Sequence, residues 1–330
     1  NSNSSTISGG TSNTASGSTS SVGGGTGNTA SGGSSSIGGG AGNQATYSGT
    51  TISGGYGNTA SGGASSIGGG IGNASSGTQS TIGGGSLNNV SGENSTIGGG
   101  TGNISDYADS TISGGNNNKA SGYLYGQSTV GGGVNNTASA DRGTVSGGYN
   151  NTASGEYGST IGGGTYNTAS ANYSAIGGGS NNNVSDQFAT ISGGTSNIAS
   201  GSGSFVGGGY TNTASGVKST VGGGYYNVAS GDASTISGGG RYNYPNTASA
   251  EYTFIGGGYG HTASGNSSTI SGGISNTASG NNATISGGQN NNASGYISTI
   301  GGGGNNTASG DNSVIGGGVN STASGNESTI

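Results

Sequence analysis

One β-branched apolar residue returns along this chain at a nearly constant interval. The series runs Ile7, Val22, Ile37, Ile52, Ile67 and onward to Ile315 and Ile330. It holds 22 anchors, and 18 of the 21 intervals are 15 residues, the other three being 18, 16 and 19. Every anchor but the last is followed by Gly-Gly at the second and third positions after it, as in Gly9-Gly10 and Gly272-Gly273. In uninterrupted units a small apolar residue, usually Ala, sits eight positions after the anchor (Ala15, Ala30, Ala60), with Asn two positions before it (Asn13, Asn28, Asn58). The unit reads S-T-I-[SG]-G-G-x-x-N-T-A-S-G-x-x.

Alternation within the unit assigns directions. Side chains on a strand point to opposite faces in turn, so Ser5 and Ile7 share one face while Thr6 and Ser8 share the other. Asn13 and Ala15 pair in the same way against Thr14 and Ser16. The pattern predicts two short strands per unit, residues 4–8 and 13–16 in the first, with Ile and Ala inward. The Gly pair is expected to make the first corner, where a positive φ is needed, and Gly17 with its variable neighbours the second. With no G-X-Y period and one proline, Pro245, collagen is excluded. The glycine density excludes a helical solenoid. The predicted fold is all-β: a parallel β-solenoid, or β-roll, of about 21 coils, one 15-residue unit and two short strands per coil.

Composition changes this picture in one respect. Gly makes up 85 of 330 residues and charged residues 4%, which taken alone describes a disordered chain. Disorder keeps no register, so the period overrides the composition. One Ile and one Ala per unit nevertheless make a thin core. Inter-coil hydrogen bonds and Asn ladders are therefore expected to add to it, with sister chains or packed glycans as a second source of stability. Residues 1–330 read as a single continuous repeat array that begins and ends inside its repeat, as expected for an excerpt of a longer chain. Its interruptions fall near 123–128, 156–158 and 241–245.

The net charge of -6 is spread thinly and forms no basic patch, so no nucleic-acid partner is expected. No apolar run approaches the ~20 residues of a membrane helix, and no membrane contact is expected in this segment. Zero Cys excludes disulfides and thiolate metal sites.

The inventory for catalysis is equally poor, and the chain is expected to be no enzyme and to use no cofactor or metal. The one histidine, His261, occupies the Asn position of its unit and has no Cys or neighbouring carboxylate to work with. The acids (Asp106, Asp109, Asp141, Asp186, Asp232, Asp311, Glu93, Glu156, Glu251 and Glu327) fall mostly at the second corner, where they are expected to serve solubility. The recurring Asp of a calcium-binding roll is absent. Strings such as Gly68-Gly69-Gly70 lack the Lys-Ser/Thr of a phosphate loop.

The three interruptions carry aromatic residues: Tyr123-Leu124-Tyr125, Glu156-Tyr157-Gly158 and Arg241-Tyr242-Asn243-Tyr244-Pro245. Each is expected to bulge from a corner. Tyr123, Tyr125, Tyr157, Tyr242 and Tyr244 are the candidate recognition residues, because tyrosine offers contact area at low entropic cost. N-x-[S/T] sequons at Asn73, Asn89, Asn94, Asn103, Asn135, Asn150, Asn183, Asn292, Asn305 and Asn320 are candidate N-glycosylation positions. A chain this rich in Asn, Ser and Thr makes about that many by chance. Outward Thr columns (Thr81, Thr96, Thr111; Thr247, Thr262, Thr277) offer sites for O-glycans or a flat hydroxyl array for ice, interrupted at Ala175, Phe205, Phe254 and Val314.

The unit N-x-A-S-G-x-x-S-T-I-G-G-G, repeated through the whole chain as in residues 58–70 and 276–288, resembles the head repeats of YadA-like trimeric autotransporter adhesins. The commoner head repeat is one residue shorter. The resemblance implies a left-handed parallel β-roll, association of three chains, and an extracellular, cell-surface location. The function expected is an adhesive or structural fibre segment without catalysis, contacting sister chains and matrix, surface or glycan ligands. A self-standing filament with a glycan coat is the second expectation and an ice-binding solenoid the third.

Overall fold

The computed structural model describes residues 4–123 and 125–330, and all regular structure among them is β. Two compact units divide the chain, the first reaching Tyr166 and the second running Asn167–Ile330. Both are built from the same coil.

In the first unit Thr6–Ile7 pairs in parallel with Ser21–Val22, which pairs in turn with Ser36–Ile37. Thr14–Ala15 pairs with Thr29–Ala30 in a second sheet. In the second unit Ala175–Ile176 pairs with Thr190–Ile191, and Thr168–Ala169 with Asn183–Val184. Each coil thus contributes one strand to each of two parallel sheets and partners its neighbour one repeat away. The fold is a β-solenoid of about 21 coils, as the 15-residue period requires. All three longer intervals preserve the register: Ile112 faces Val130, Val145 faces Ile161 and Ile236 faces Ile255.

Each strand is two residues long, shorter than alternation implies. Between them lies a third row that alternation does not reveal. Thr11, Thr26 and Ala41 bridge in parallel in the first unit, as do Ser180, Thr195, Tyr210 and Tyr225 in the second. These side chains face outward and vary freely, so no apolar signal marks them. Their backbone is nevertheless paired: Thr11 N–H donates to Gly25 O at 2.9 Å and Tyr210 N–H to Gly224 O at 2.9 Å.

The interior is made of columns. Ile or Val at the anchor is buried from Val22 to Ile315, and Ala in the second strand from Ala30 to Ala323, as the sequence implies; the end anchors Ile7 and Ile330 are exposed. Beside them run two polar columns, one of Asn (Asn28, Asn43, Asn58) and one mostly of Ser (Ser20, Ser35, Ser65). Within each unit the Asn column is a hydrogen-bonded ladder. Asn28 N–H donates to Asn13 Oδ1 at 3.0 Å, and Asn28 Nδ2 donates to Gly24 O and Gly40 O, both at 2.9 Å. The amide therefore ties the Gly corner of its own coil to that of the next. Backbone polar groups that a corner would otherwise leave orphaned are satisfied there.

The glycines divide their work between the two corners. The second Gly of each pair needs a positive φ, +92° at Gly224, and a Cβ there would lie 2.0 Å from Gly239 O. Gly17 carries no positive φ; it is small because a Cβ would meet Gly32 O of the next coil at 2.0 Å. The left-handed residue of the second corner is instead the variable Thr19 position, φ 57°, which elsewhere holds Asn94, Tyr173 and Ile297.

Candidate recognition surface

The sequence-predicted tyrosines go to three separate places. Tyr123 and Tyr125 are exposed on the 123–128 insertion; Leu124 lies outside the described residues. Tyr123 meets Tyr107 edge to face with centroids 5.7 Å apart, and Tyr125 N–H donates to Asp141 Oδ2 at 3.1 Å. Asp141 is consequently buried, 2% exposed, and anchors an insertion rather than serving solubility. The extra residue at 156–158 forms no protruding loop. Tyr157 is half-buried and bridges Asp141 in parallel, with Gly158 N–H donating to Asp141 O at 2.8 Å. The ladder absorbs one residue as a bulge because both flanking backbones keep their partners.

The 241–245 insertion is different in kind. It leaves from the Gly corner rather than the second corner, and closes on itself: Arg241 N–H donates to Tyr244 O at 3.1 Å and Tyr244 N–H to Arg241 O at 2.8 Å. This tight turn lifts Tyr242 and Tyr244 beside tyrosines that the outward row already carries. Tyr242 meets Tyr226 at 5.3 Å, and Tyr226 meets Tyr210 at 5.5 Å. Tyr210 also meets Tyr225 at 6.2 Å, while Tyr244 meets Tyr259 at 6.0 Å with the Arg241 guanidinium 5.9 Å from the Tyr259 centroid. Six tyrosines and one arginine thereby share one corner of the second unit.

Their geometry limits what they can do. Four of the five contacts cross at 40–81°, as edge-to-face and tilted pairs prefer, so the rings form no flat platform. Tyr242 is 71% exposed and Tyr225 57%. The Tyr226 phenol is pushed above its ordinary value, first by partial desolvation and then by the neighbouring phenols of Tyr210 and Tyr242. Arg241 is the one charged residue among the outward Gly-corner positions of this unit; its acids and Lys218 sit at the other corner. Sequence reading found Tyr242 and Tyr244 by the length anomaly but missed Tyr210, Tyr225, Tyr226 and Tyr259. Stacking the sequence at its own period would have aligned them.

Elsewhere the acids do structural work at the second corner. Asp232 Oδ1 accepts Val217 N–H at 2.9 Å, Asp311 Oδ1 accepts Tyr296 N–H at 3.0 Å, and Asp106 pairs with Lys119 at 3.2 Å. His261 sits inside the Asn ladder. Its N–H donates to Asn246 Oδ1 and its Nδ1 accepts Asn276 N–H, both at 3.1 Å, so the ring is neutral with its proton on Nε2. Nε2 faces the Gly257 and Gly273 carbonyls without a well-aligned bond, and burial lowers the histidine pKa.

The sequons sort by column. Asn89, Asn94, Asn135, Asn305 and Asn320 are exposed, and Asn150, Asn183 and Asn292 are half-buried. Asn73 and Asn103 belong to the ladder: their Nδ2 groups donate to Gly69 O and Gly85 O, and to Gly99 O and Gly115 O. Neither amide is open to a glycan in the folded coil.

The fold and its columns define a β-solenoid repeat protein with a tyrosine-lined corner. No family model matches the chain, and no curated protein matches it.

Proposed function

We propose that this chain is an extracellular structural and adhesive fibre segment that displays polar and aromatic side chains on a self-closed scaffold. The observation that carries the reading is the tyrosine corner. Tyrosines from neighbouring coils and a tight insertion are held in mutual contact on a surface otherwise made of Gly, Ser, Thr and Asn. Rigid, half-wet rings contribute contact area without losing much side-chain freedom. The repeat's resemblance to adhesin heads supports the location and the association of sister chains, as a homotrimer or along a filament.

Adsorption to cellulose and alginate films and to immobilised matrix protein, measured by surface plasmon resonance, tests the adhesive part. Replacing Tyr225, Tyr242 and Tyr259 by Ser is expected to abolish most of the binding; a variant that adsorbs as well as the parent defeats the reading. Light scattering tests association, with three chain masses or more expected and a single-chain mass counting against it.

One observation favours a second reading for the first unit. The four interruptions of the outward hydroxyl row, Ala175, Phe205, Phe254 and Val314, all lie in the second unit, whereas Thr6 to Thr160 is hydroxyl-bearing throughout. Ser66 Oγ donates to Thr81 Oγ1 at 3.2 Å along that row. An ordered hydroxyl array suits ice. A thermal-hysteresis assay reading zero removes this option.

A further inference from the structure

We propose that the tyrosine corner of the second unit is a site of oxidative phenol coupling, in which Tyr226 and Tyr242 become joined ring to ring. Two independent observations meet here. The chain has 17 Tyr but no Cys, Met or Trp, so the side chains that ordinarily take up oxidising equivalents first are missing. The corner then places phenols in direct contact: Tyr242 against Tyr226 at 5.3 Å and 81°, and Tyr226 against Tyr210 at 5.5 Å and 69°. Exposure of Tyr242 lets an external oxidant reach the group, and the chain of contacts lets a radical formed on one ring pass to the next.

The chemistry balances with a peroxide as the oxidant and a haem peroxidase as its catalyst. Each phenol gives up one electron and its proton. The two phenoxyl radicals then combine through the ring carbons ortho to oxygen, forming one carbon–carbon bond. Each of those carbons passes its hydrogen to its own oxygen, restoring both phenols. Two hydrogen atoms leave the protein, and hydrogen peroxide is reduced to two waters. The product is an intramolecular dityrosine that pins the 241–245 turn to the coil beneath it. The crossing angles disfavour a flat sugar-stacking platform, yet a near-perpendicular pair still brings the edge of one ring to the other. The proposal stands apart from the adhesive reading, since it needs neither a surface ligand nor a sister chain.

A natural cleavage site makes the test specific. Lys119, Arg142, Lys218 and Arg241 are the four basic residues, so trypsin separates Tyr226, in fragment 219–241, from Tyr242, in fragment 242–330. The folded full chain is treated in dilute solution with hydrogen peroxide and a haem peroxidase, then unfolded, digested and weighed. The expected result is a covalently joined 219–241/242–330 species, lighter by two hydrogens and carrying dityrosine fluorescence. Tyr242→Phe should eliminate that species, whereas Tyr47→Phe in the first unit should leave it unchanged. Circular dichroism confirms that both variants fold. Fragments that separate after oxidation, a joined species that survives in Tyr242→Phe, or coupling confined to covalent dimers of the chain would each overturn the proposal. Adsorption of the unoxidised chain is read independently, so failure here is distinguishable from failure of the adhesive function.

Discussion

Two polar columns line the same interior, and the backbone around them treats them oppositely. Asn212 shows the first case: its Nδ2 donates to Gly208 O at 2.9 Å and Gly224 O at 2.8 Å, and its Oδ1 accepts Asn227 N–H at 3.0 Å. Asn212→Ala strands Gly208 O and Asn227 N–H, while Gly224 O keeps Tyr210 N–H, and is expected to cost about 2 kcal/mol or more. The amide proton of Asn227 should also lose its exchange protection. Ser219 shows the second case, with a buried hydroxyl that has no hydrogen-bond partner. Ala189 and Ala283 occupy the same column, so Ser219→Ala is expected to leave the thermal midpoint unchanged or slightly raised. His261 combines both situations. Its Nδ1 accepts a backbone N–H, so a second ring proton would set donor against donor. Burial lowers its pKa from 6.5. Below about pH 6.5 the unfolded chain takes up a proton that the folded chain refuses, so the unfolded state binds more protons and stability falls with pH. The contribution is complete above that value, and its slope is at most about 1.4 kcal/mol per pH unit. Urea midpoints compared from about pH 7.5 to about pH 5 should fall more steeply for the parent than for His261→Asn, which refills the ladder. Parallel curves would refute the assignment.

At the scale of the coil, the glycines separate into those that can change and those that cannot. Gly224 has φ +92°, and a Cβ there would lie 2.0 Å from Gly239 O and 2.8 Å from Asn227 Nδ2. Its column is Gly in every coil. Gly216 has no positive φ, and although a Cβ there would lie 2.2 Å from Gly231 O, its column already accepts Ala140, Ala171 and Ala250 by a local backbone shift. Gly224→Ala is therefore expected to unfold its coil and neighbours, while Gly216→Ala lowers the thermal midpoint only modestly. Equal losses would show that crowding alone governs both columns. This contrast also marks what the sequence made legible. The inward Ile, Asn and Ala columns were readable because burial fixes residue type at a constant interval. The third bridge row was not, because Thr11, Tyr56, Ile71 and Asn116 share only a backbone role and point outward. The tyrosine corner was half readable. Tyr242 and Tyr244 betray themselves by breaking the period, whereas Tyr210, Tyr225 and Tyr259 keep it and are linked only once coils are stacked. Asp141 was misassigned because a single acid at a corner looks solvated until the insertion above it is seen to donate to it.

For the chain as a whole, the decisive property is that each coil partners only its neighbours. Stability in such a repeat protein is close to a sum of coil terms and nearest-neighbour terms. Removing residues 265–279 deletes one full unit and joins Ser264 to Gly280, a Ser-Gly step that the repeat already uses. Phe254–Ile255 would then pair with Thr284–Ile285, and His261 Nδ1 would accept Asn291 N–H in place of Asn276. One buried Ile, one buried Ala and one rung of each ladder are lost, but no register changes. The thermal midpoint is expected to move by less than about 5 °C, with the circular dichroism signal per residue retained. Removing only residues 265–271 takes out the strand containing Ile270 while leaving its Gly pair and Asn276. The shortened coil cannot offer an isoleucine strand to either neighbour, so its Ile column is broken and its corner carbonyls lose their partners. That shorter deletion is expected to be the more damaging, with exchange protection lost in the flanking coils. The opposite order would mean that length, and not phase, holds the second unit together.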